Sequence, residues 1–223
     1  HIGDRRQRQM CIRDSEYAGA SGGYLDFLGY PFCRGRILGN IEKSDKYNTT
    51  REIFWASGSC FIIRKSIFKL LNGFDEDFFC HMEEIDLCWR LKNLNSNYKI
   101  ITIGKANVYH VGGGTMQYGE NRKNYLNFRN SLVMLIKNLP KKYFIFSLFL
   151  RLICDLFILI FSVLLFRFGL SISILSAYYF NILNFRKSLS KRKKGLVPYK
   201  YFICFSILIN YYFLNKKTFS SIK

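Results

Sequence analysis

The chain has 223 residues, 34 of them basic and 15 acidic, giving a formal net charge of +19, and its length suits one large domain or one domain with an appendage. Such a charge is compatible with nucleic-acid binding, but no RNP, zinc-finger or helix-turn-helix pattern accompanies it, so we predict no nucleic-acid partner. The seven cysteines are scattered without a C-x-x-C pair and indicate neither a disulfide framework nor a zinc site.

The basic residues are concentrated towards the C-terminus. Residues 16 to 136 carry 15 basic and 12 acidic side chains, whereas residues 137 to 223 carry 15 basic side chains and a single acid, Asp155. Residues 1 to 15 have no apolar periodicity and no cleavable signal, and they resemble translated sequencing-adapter sequence, so we expect a non-native leader there. The composition therefore predicts three parts, over residues 1–15, 16–139 and 140–223.

A glycine-rich segment opens the predicted folded region. The glycines between residues 19 and 29 are typical of turns and do not form a dinucleotide-binding pattern. Residues 53 to 63 have the composition of a buried strand that is interrupted by a Ser-Gly-Ser triplet. Glycine within a strand often marks the close approach of another backbone or of a ligand, and Trp55 beside this triplet of residues 57 to 59 is a candidate for ligand contact.

An acid-rich run follows, and its second half predicts a helix over residues 83 to 94. Glu83 and Glu84 fall in the first turn, where the helix dipole favours negative charge, and Asp86 is spaced for an ion pair with Arg90. Ionised carboxylates repel one another and are costly to bury without partners, so these acids either face water or bind something. A general base at the start of the helix is one interpretation. The plainer alternative is that the two glutamates only complement the helix dipole.

The rest of the globular region alternates helix and strand patterns. Short elements are predicted as a helix over residues 64–71, strands over residues 98–103 and 106–111, and an amphipathic helix over residues 124–139 that ends at Pro140. His110 lies at the end of the second strand and precedes three glycines. It either binds a metal beside the acids or caps the strand.

The C-terminal third has the composition of a membrane-associated segment. Residues 143 to 166 are long enough to provide the ~20 residues that span hydrocarbon if Arg151 and Asp155 pair one helical turn apart. A transmembrane helix, a helical hairpin and two helices lying in the interface all remain open. The basic cluster from Arg186 to Lys194 predicts attraction to anionic lipid of the cytoplasmic leaflet.

Residues 16 to 139 resemble the C-terminal half of the catalytic domain of bacterial family-2, GT-A-type glycosyltransferases, especially the rhamnosyltransferase-like subgroup. The resemblance runs through five blocks in one order: EYAGASGGYLDFLGYPFCRGR, IFWASGSCFIIRK, GFDEDFFCHMEEIDLCWRL, VYHVGGGT and NYLNFRNSLVMLIKNLP. It implies an α/β fold class, namely a partial GT-A (nucleotide-diphospho-sugar transferase) domain that is followed by C-terminal membrane-associated helices.

The resemblance also implies roles for the residues singled out above. Glu84 takes the place of the aspartate in the family's commoner Glu-Asp pair and becomes the candidate catalytic base, with Glu83 as its neighbour and an alternative base. Ser57 and Gly58 would line the acceptor side. His110 would help to hold a divalent metal, Mg²⁺ or Mn²⁺, or the diphosphate. Asp86 and Arg90 are expected to lock the helix and are also candidate acceptor- or substrate-binding residues, with Arg90 able to reach a phosphate.

The implied activity is inverting transfer of a sugar from a nucleotide-sugar donor to a lipid-linked or polysaccharide acceptor, at the cytoplasmic face of the bacterial inner membrane. The family's N-terminal half, with its nucleotide-binding units and Asp-x-Asp motif, has no counterpart here. We therefore expect the acceptor-side half of an enzyme, inactive by itself, with a metal bound only when the other half is present. The alternative is a non-catalytic membrane-associated adaptor or binding half-domain; a metal-dependent hydrolase is supported poorly.

Overall fold

The computed structural model describes residues 21–42, 47, 49–104, 106, 108, 119–192 and 201–222. Within these ranges the strands are β1 Gly23–Leu25, β2 Pro31–Cys33, β3 Arg36–Ile37, β4 Asn40–Ile41, β5 Arg51–Ile53 and β6 Ile100–Thr102. The helices are α1 Lys65–Leu70, α2 Glu83–Leu94, α3 Glu120–Asn138, α4 Lys141–Leu164, α5 Phe168–Leu183, α6 Phe185–Ser190, α7 Ile207–Tyr212 and α8 Phe219–Ile222. The predicted mixed α/β class is confirmed, whereas the GT-A fold stays a prediction.

Two small antiparallel sheets form the β part of the described chain. Strands β1 to β4 pair in sequence order, and β5 pairs with β6. A bridge between Gly23 and Trp55 joins the two sheets, with the Gly23 N–H donating to the Trp55 carbonyl at 2.9 Å. A Cβ atom on Gly23 would lie 2.1 Å from the Trp55 ring, so only glycine fits at this crossing.

The predicted buried strand over residues 53 to 63 is wrong beyond Ile53, apart from a single bridge at Trp55, and residues 56 to 63 are not buried. Strand β5 ends at Ile53, and a turn at the Ser-Gly-Ser triplet, closed by a bond from the Cys60 N–H to the Ser57 carbonyl, prevents the chain from extending further. Serine and glycine favour turns over strand continuation. The interruption noted in the sequence is thus a turn that begins four residues after the end of β5.

The helices agree more closely with their predictions. Helix α1 lies within the predicted residues 64–71, α2 has the predicted bounds, and α3 begins four residues before the predicted start and ends before Pro140. Trp89 of α2 is fully buried and packs against Phe54 with ring centroids 5.8 Å apart. The hydrophobic core therefore lies between α2, the strands and α3.

The last described segment, residues 201 to 222, returns to this core. Phe202 contacts Phe27, Phe54 and Trp89, whereas Phe219 of α8 stacks on Tyr24. The buried Asp26 carboxylate accepts the Ile207 N–H at the start of α7. The predicted membrane-associated tail over residues 140–223 thus includes a segment that packs with the globular region; the boundary at residue 139 itself stays a prediction.

Helices α4 and α5 form an antiparallel hairpin beside α3. The Ser162 and Ser171 hydroxyls lie 2.7 Å apart near the hairpin turn, and the Tyr178 hydroxyl donates to Asp155 further along. The predicted ion pair of Arg151 with Asp155 is confirmed at 2.8 Å. Helix α4 has the length and apolar composition needed to cross a membrane, judged on those two properties alone.

Part of the predicted basic cluster is paired within the chain. Lys191 contacts Asp75 and Asp77 at 2.6 Å each, and Lys187 contacts Asp77 at 2.8 Å. Arg192 donates to the carbonyls of Ile136 and Leu139 at the C-terminal end of α3. Lys187 and Lys191 thus hold the segment after α5 against the acid-rich loop at residues 75–77, and Arg192 holds it against α3. The binding of anionic lipid by the cluster stays a prediction.

Candidate active site

The loop that leads to the two glutamates has an unusual backbone. Phe79, His81 and Met82 have φ angles of 62°, 68° and 71°, in the left-handed region that side-chain-bearing residues rarely adopt. Such conformations cost about 1–3 kcal/mol each and persist only where the surrounding structure imposes them. The loop is therefore held in place by contacts outside itself.

Two buried polar side chains of α3 supply those contacts. The Asn130 amide nitrogen lies 3.0, 2.7 and 2.8 Å from the carbonyl oxygens of Phe78, Cys80 and His81, so its two N–H groups are shared among three acceptors. Arg129 donates to the carbonyls of Asp77 and Phe78 at 2.8 Å each. We call Arg129 and Asn130 the loop clamp. Sequence reasoning assigned them no role, and their burial within an amphipathic helix became visible only in the structure.

Replacing Asn130 with alanine should loosen this loop. Asn130 is fully buried, so the carbonyls that it satisfies would lose their donor, and we expect a loss of about 1–3 kcal/mol in the free energy of unfolding. Asn127→Ala, one turn away on the same helix, is the matched control and should change stability by less than about 0.5 kcal/mol. Chemical denaturation of both variants in detergent measures the difference; equal losses would show that the clamp does not hold the loop.

Glu84 faces the Ser-Gly-Ser turn. The Gly58 N–H donates to its carboxylate, and a Cβ atom on Gly58 would lie 3.5 Å from the Glu84 carboxyl carbon. One turn further along α2, the Ala56 N–H donates to the Cys88 thiol. The structure thus places Glu84 beside Gly58, and the roles of catalytic base and acceptor-side residue stay predictions. The Ser57 hydroxyl lies 2.8 Å from that of Ser59 on the exposed side of the turn.

The surroundings of Glu84 suit a group that accepts a proton near neutral pH. Burial, together with the negative charge of Glu83, raises the pKa of Glu84 to about 7, against the opposing effect of backbone N–H donors that include Gly58. A general base works best when its pKa lies near the operating pH. Glu83 has one buried carboxylate oxygen that accepts no hydrogen bond from the described residues.

His81 adds a third titratable group to this loop, and sequence reasoning gave it no role. Burial lowers the pKa of His81, the positive charge of Lys123 lowers it further, and Glu83 opposes both. The imidazole thus experiences opposing charges from Glu83 of α2 and from Lys123 in the first turn of α3.

Trp55, predicted to contact a ligand, is a core residue in the structure. Its side chain is buried, packs over Gly23, and donates its indole N–H to the Tyr24 carbonyl at 2.9 Å. The geometry explains Trp55 as the residue that fixes the two sheets together. Its role in ligand contact stays a prediction.

Asp86 and Arg90 form the predicted ion pair at 2.7 Å, and Asp86 is fully buried. The remaining Arg90 donors bind the carbonyls of Leu71 and Gly73. These contacts support the helix-locking role expected for the pair. Their part in acceptor or phosphate binding stays a prediction.

The metal assignment falls on a residue that the structure does not describe, because His110 lies outside the described ranges. Among the described residues, no three His, Cys, Asp or Glu side chains are grouped to hold a metal ion. The free carboxylate oxygen of Glu83 is an oxygen ligand of the kind that Mg²⁺ prefers. One such ligand does not make a metal site, so the described residues alone do not fit the expected cation.

Known proteins share short segments with this chain. It is 38% identical over 60 residues to the N-acetylglucosaminyl-diphospho-decaprenol L-rhamnosyltransferase of Mycobacterium tuberculosis, a match covering 27% of this chain and 19% of the relative. It is 43% identical over 66 residues to rhamnosyltransferase WbbL of Escherichia coli K12, covering 30% of this chain and 24% of the relative. It is 28% identical over 85 residues to the low-salt glycan biosynthesis hexosyltransferase Agl10 of Haloferax volcanii, covering 38% of this chain and 27% of the relative.

These relatives are glycosyltransferases. Their likeness supports a glycosyl-transfer role for this chain in general terms, as the resemblance noted in the sequence predicts. The chain spans about a fifth to a quarter of the length of the curated relatives that it matches. No protein-family model matches it, and no solved structure does.

Proposed function

We propose that this chain is the acceptor-side part of an inverting glycosyltransferase in which Glu84 is the catalytic base. The observation that carries the proposal is the placement of Glu84: a carboxylate at a helix start, with a pKa raised to about 7, held beside the exposed Gly58 by a clamped loop. The short likenesses to rhamnosyltransferases support the same reaction class.

In the proposed reaction Glu84 takes the proton of an acceptor hydroxyl as that oxygen attacks the anomeric carbon of the donor sugar. The new carbon–oxygen bond forms on one face while the bond to the nucleoside diphosphate breaks on the other, which inverts the anomeric configuration. A bound divalent cation would neutralise the leaving diphosphate. The roles given to Glu84, Gly58 and the loop clamp are stated without that cation, because its candidate ligand His110 lies outside the described residues.

The substrates are part of the proposal. One relative is named for transfer of L-rhamnose to a diphospho-decaprenol lipid, so we propose a nucleotide-sugar donor and a lipid-linked or polysaccharide acceptor in cell-surface polysaccharide synthesis. A long apolar helix is consistent with work at a membrane, and we propose the cytoplasmic face of the bacterial inner membrane as its place.

The competing function is a non-catalytic membrane-associated adaptor. Such a protein would have no need for a half-buried carboxylate whose pKa is raised to about 7, nor for a strained loop clamped from a neighbouring helix. These two features favour the enzyme.

The test is sugar transfer by membranes from cells that express this chain joined to its natural upstream sequence. We expect labelled sugar from a nucleotide-sugar donor to enter an organic-extractable lipid fraction, and the Glu84→Gln variant to lose that incorporation. Equal incorporation by the two proteins, or none by either, would favour the adaptor.

A further inference from the structure

Helix α4 has its polar side chains inside and its apolar ones outside. Its buried residues are all polar, and they lie along one stripe: Ser147, Arg151, Asp155 and Ser162. Between residues 145 and 164 every exposed position of this helix is apolar. A surface helix of a water-soluble domain has the opposite arrangement, with polar residues outside.

The neighbouring helix α5 shows this arrangement in part. Beside the apolar Ile174 and Ala177, its buried residues include Ser173 and Asn181, which donate to the Asn121 and Arg129 carbonyls of α3. Apart from Ser176, the opposite side exposes large, mainly apolar residues: Ile172, Leu175, Tyr179, Ile182 and Leu183. Two adjacent helices thus share a continuous outward apolar face, which is larger than soluble proteins leave in contact with water.

The polar stripe of α4 is bonded to the globular region. The Ser147 hydroxyl donates to the Phe27 carbonyl at 2.9 Å, and Arg151 donates to the Leu28 carbonyl at 3.2 Å. The Tyr30 hydroxyl donates to the Asp155 carboxylate at 2.6 Å. From residue 147 to residue 155 one side of the helix therefore lies against protein, over roughly 12 Å at the usual rise per residue.

These contacts are incompatible with a helix that crosses the bilayer. A spanning α4 would carry the loop at residues 27–30 and its polar backbone into the hydrocarbon. If only residues 156 to 164 were inserted instead, they would reach roughly 14 Å, against a hydrocarbon thickness of about 30 Å. Helix α5 is roughly 24 Å long and is bonded along α3.

We propose that α4 and α5 lie in the plane of the membrane, with their shared outward face in the acyl-chain region of one leaflet. Exposed cations flank this face at both ends of the hairpin: Lys141, Lys142, Arg167 and Arg186. They complement anionic lipid headgroups, as expected for an interfacial helix. A protein partner is disfavoured because protein interfaces carry about one hydrogen bond per 100–200 Å², and the exposed positions of α4 between residues 145 and 164 offer no polar side chain.

The placement of α4 and α5 in the membrane determines from which side a membrane-bound acceptor reaches the proposed active site, and this step alone rests on the proposed function. The hairpin turn lies at the N-terminal end of α3, where Gly169 packs against Asn121. The same end of α3 carries Arg122, whose guanidinium lies 5.6 Å from the centroid of the Phe79 ring. Phe79 of the loop thus lies towards the hairpin turn, whereas Asp75 of the same loop contacts Lys137 near the C-terminal end of α3. We therefore expect a membrane-bound acceptor to approach the site from the Phe79 side of the loop.

Depth-dependent fluorescence quenching tests the placement on the full chain. Ile145, Phe157 and Phe161 are exposed positions spread along α4, and each is changed to Trp in a separate variant. The variants are reconstituted in vesicles containing phosphatidylglycerol, with bromine on the acyl chains at a shallow or a deep position. We expect all three tryptophans to be quenched, each more strongly by the shallow bromine. The native Trp55 and Trp89 are buried in the globular region and supply an unquenched background.

Ile62→Trp is the matched control, since residue 62 is 98% exposed and lies outside the hairpin. Its added tryptophan should escape quenching. Deep quenching at Phe157→Trp with shallow quenching at the two flanking positions would overturn the proposal in favour of a span. Absence of quenching at all three positions would also overturn it, and sedimentation would then show whether a second copy covers the face. Because fluorescence quenching does not depend on catalysis, a negative result would overturn the membrane placement without bearing on the proposed transferase activity.

Discussion

Glu84→Gln should lower the rate of sugar transfer by about 10²- to 10⁴-fold, the usual contribution of a positioned general base. Glutamine keeps the size of the side chain and its contact with Gly58, but it cannot take a proton from the acceptor hydroxyl. The measurement is the initial rate of transfer with saturating donor, in the protein that joins this chain to its upstream sequence.

Glu83→Gln is the matched control, because it changes the adjacent carboxylate in the same helical turn. This variant should retain transfer, although with an altered pH dependence, since the charge of Glu83 is one cause of the raised pKa of Glu84. If Glu83→Gln lost transfer while Glu84→Gln kept it, the base would be Glu83. That outcome would resolve the alternative which the sequence leaves open.

The pH profile gives an independent check on the same assignment. A base must be ionised to act, so the rate should rise with pH through about 7, the pKa of Glu84, and level off above it. Removing the Glu83 charge lowers that pKa, so the rise should shift to lower pH in Glu83→Gln. An unshifted profile would show that the two carboxylates are not coupled.

Stability measurements on Glu84→Gln distinguish a loss of catalysis from a loss of folding. The folded-state pKa of Glu84 lies above the unfolded value of about 4.3, so between that pH and about 7 the native state binds more protons than the unfolded state. The contribution of Glu84 to stability is therefore present at low pH and is lost as pH rises through about 7. Glutamine does not ionise, so the Glu84→Gln variant does not lose stability over this pH range. It should be at least as stable as the wild type above neutral pH.

The features that were predictable from sequence depend on residues close together in the chain. The bounds of α2 follow from the acids in its first turn and from the stripe of leucines, and α3 ends where Pro140 forbids continuation. The ion pair of Arg151 with Asp155 follows from their spacing of one helical turn. Each of these is a local rule with a physical cause, so one sequence suffices to apply it.

The features that were missed depend on distant parts of the chain. The clamp from Asn130 to the carbonyls of residues 78 to 81 joins positions about fifty residues apart, and the contacts of Lys191 with Asp75 and Asp77 join positions more than a hundred apart. The sequence shows that Lys191 is basic, but it does not show which acidic residue Lys191 contacts. The basic cluster therefore suggested lipid, whereas much of its described part is paired within the chain.

Asp86→Ala should lower the free energy of unfolding by about 3–5 kcal/mol, the usual cost of removing one partner from a buried ion pair. The Asp86 carboxylate is fully buried and accepts hydrogen bonds from Arg90, Lys137 and Asn138 at 2.7, 2.9 and 2.7 Å. Its loss would leave Arg90 with an unpaired charge at the edge of the core and would weaken the link between α2 and α3. Urea denaturation of the full chain in detergent measures the loss.

Two further variants, Asp86→Asn and Glu76→Ala, show whether the loss of stability in Asp86→Ala comes from the missing charge of Asp86. One carboxylate oxygen of Asp86 faces Lys137 and Asn138 and the other faces Arg90, so the amide of an asparagine would turn its N–H groups towards a donor in either orientation. We therefore expect Asp86→Asn to be destabilised nearly as much as Asp86→Ala. Glu76 is an exposed acid in the preceding loop, and its removal should cost less than about 0.5 kcal/mol. If Asp86→Asn matched the wild type, the charge of Asp86 would be dispensable, and the junction between α2 and α3 would depend on packing around Trp89 instead.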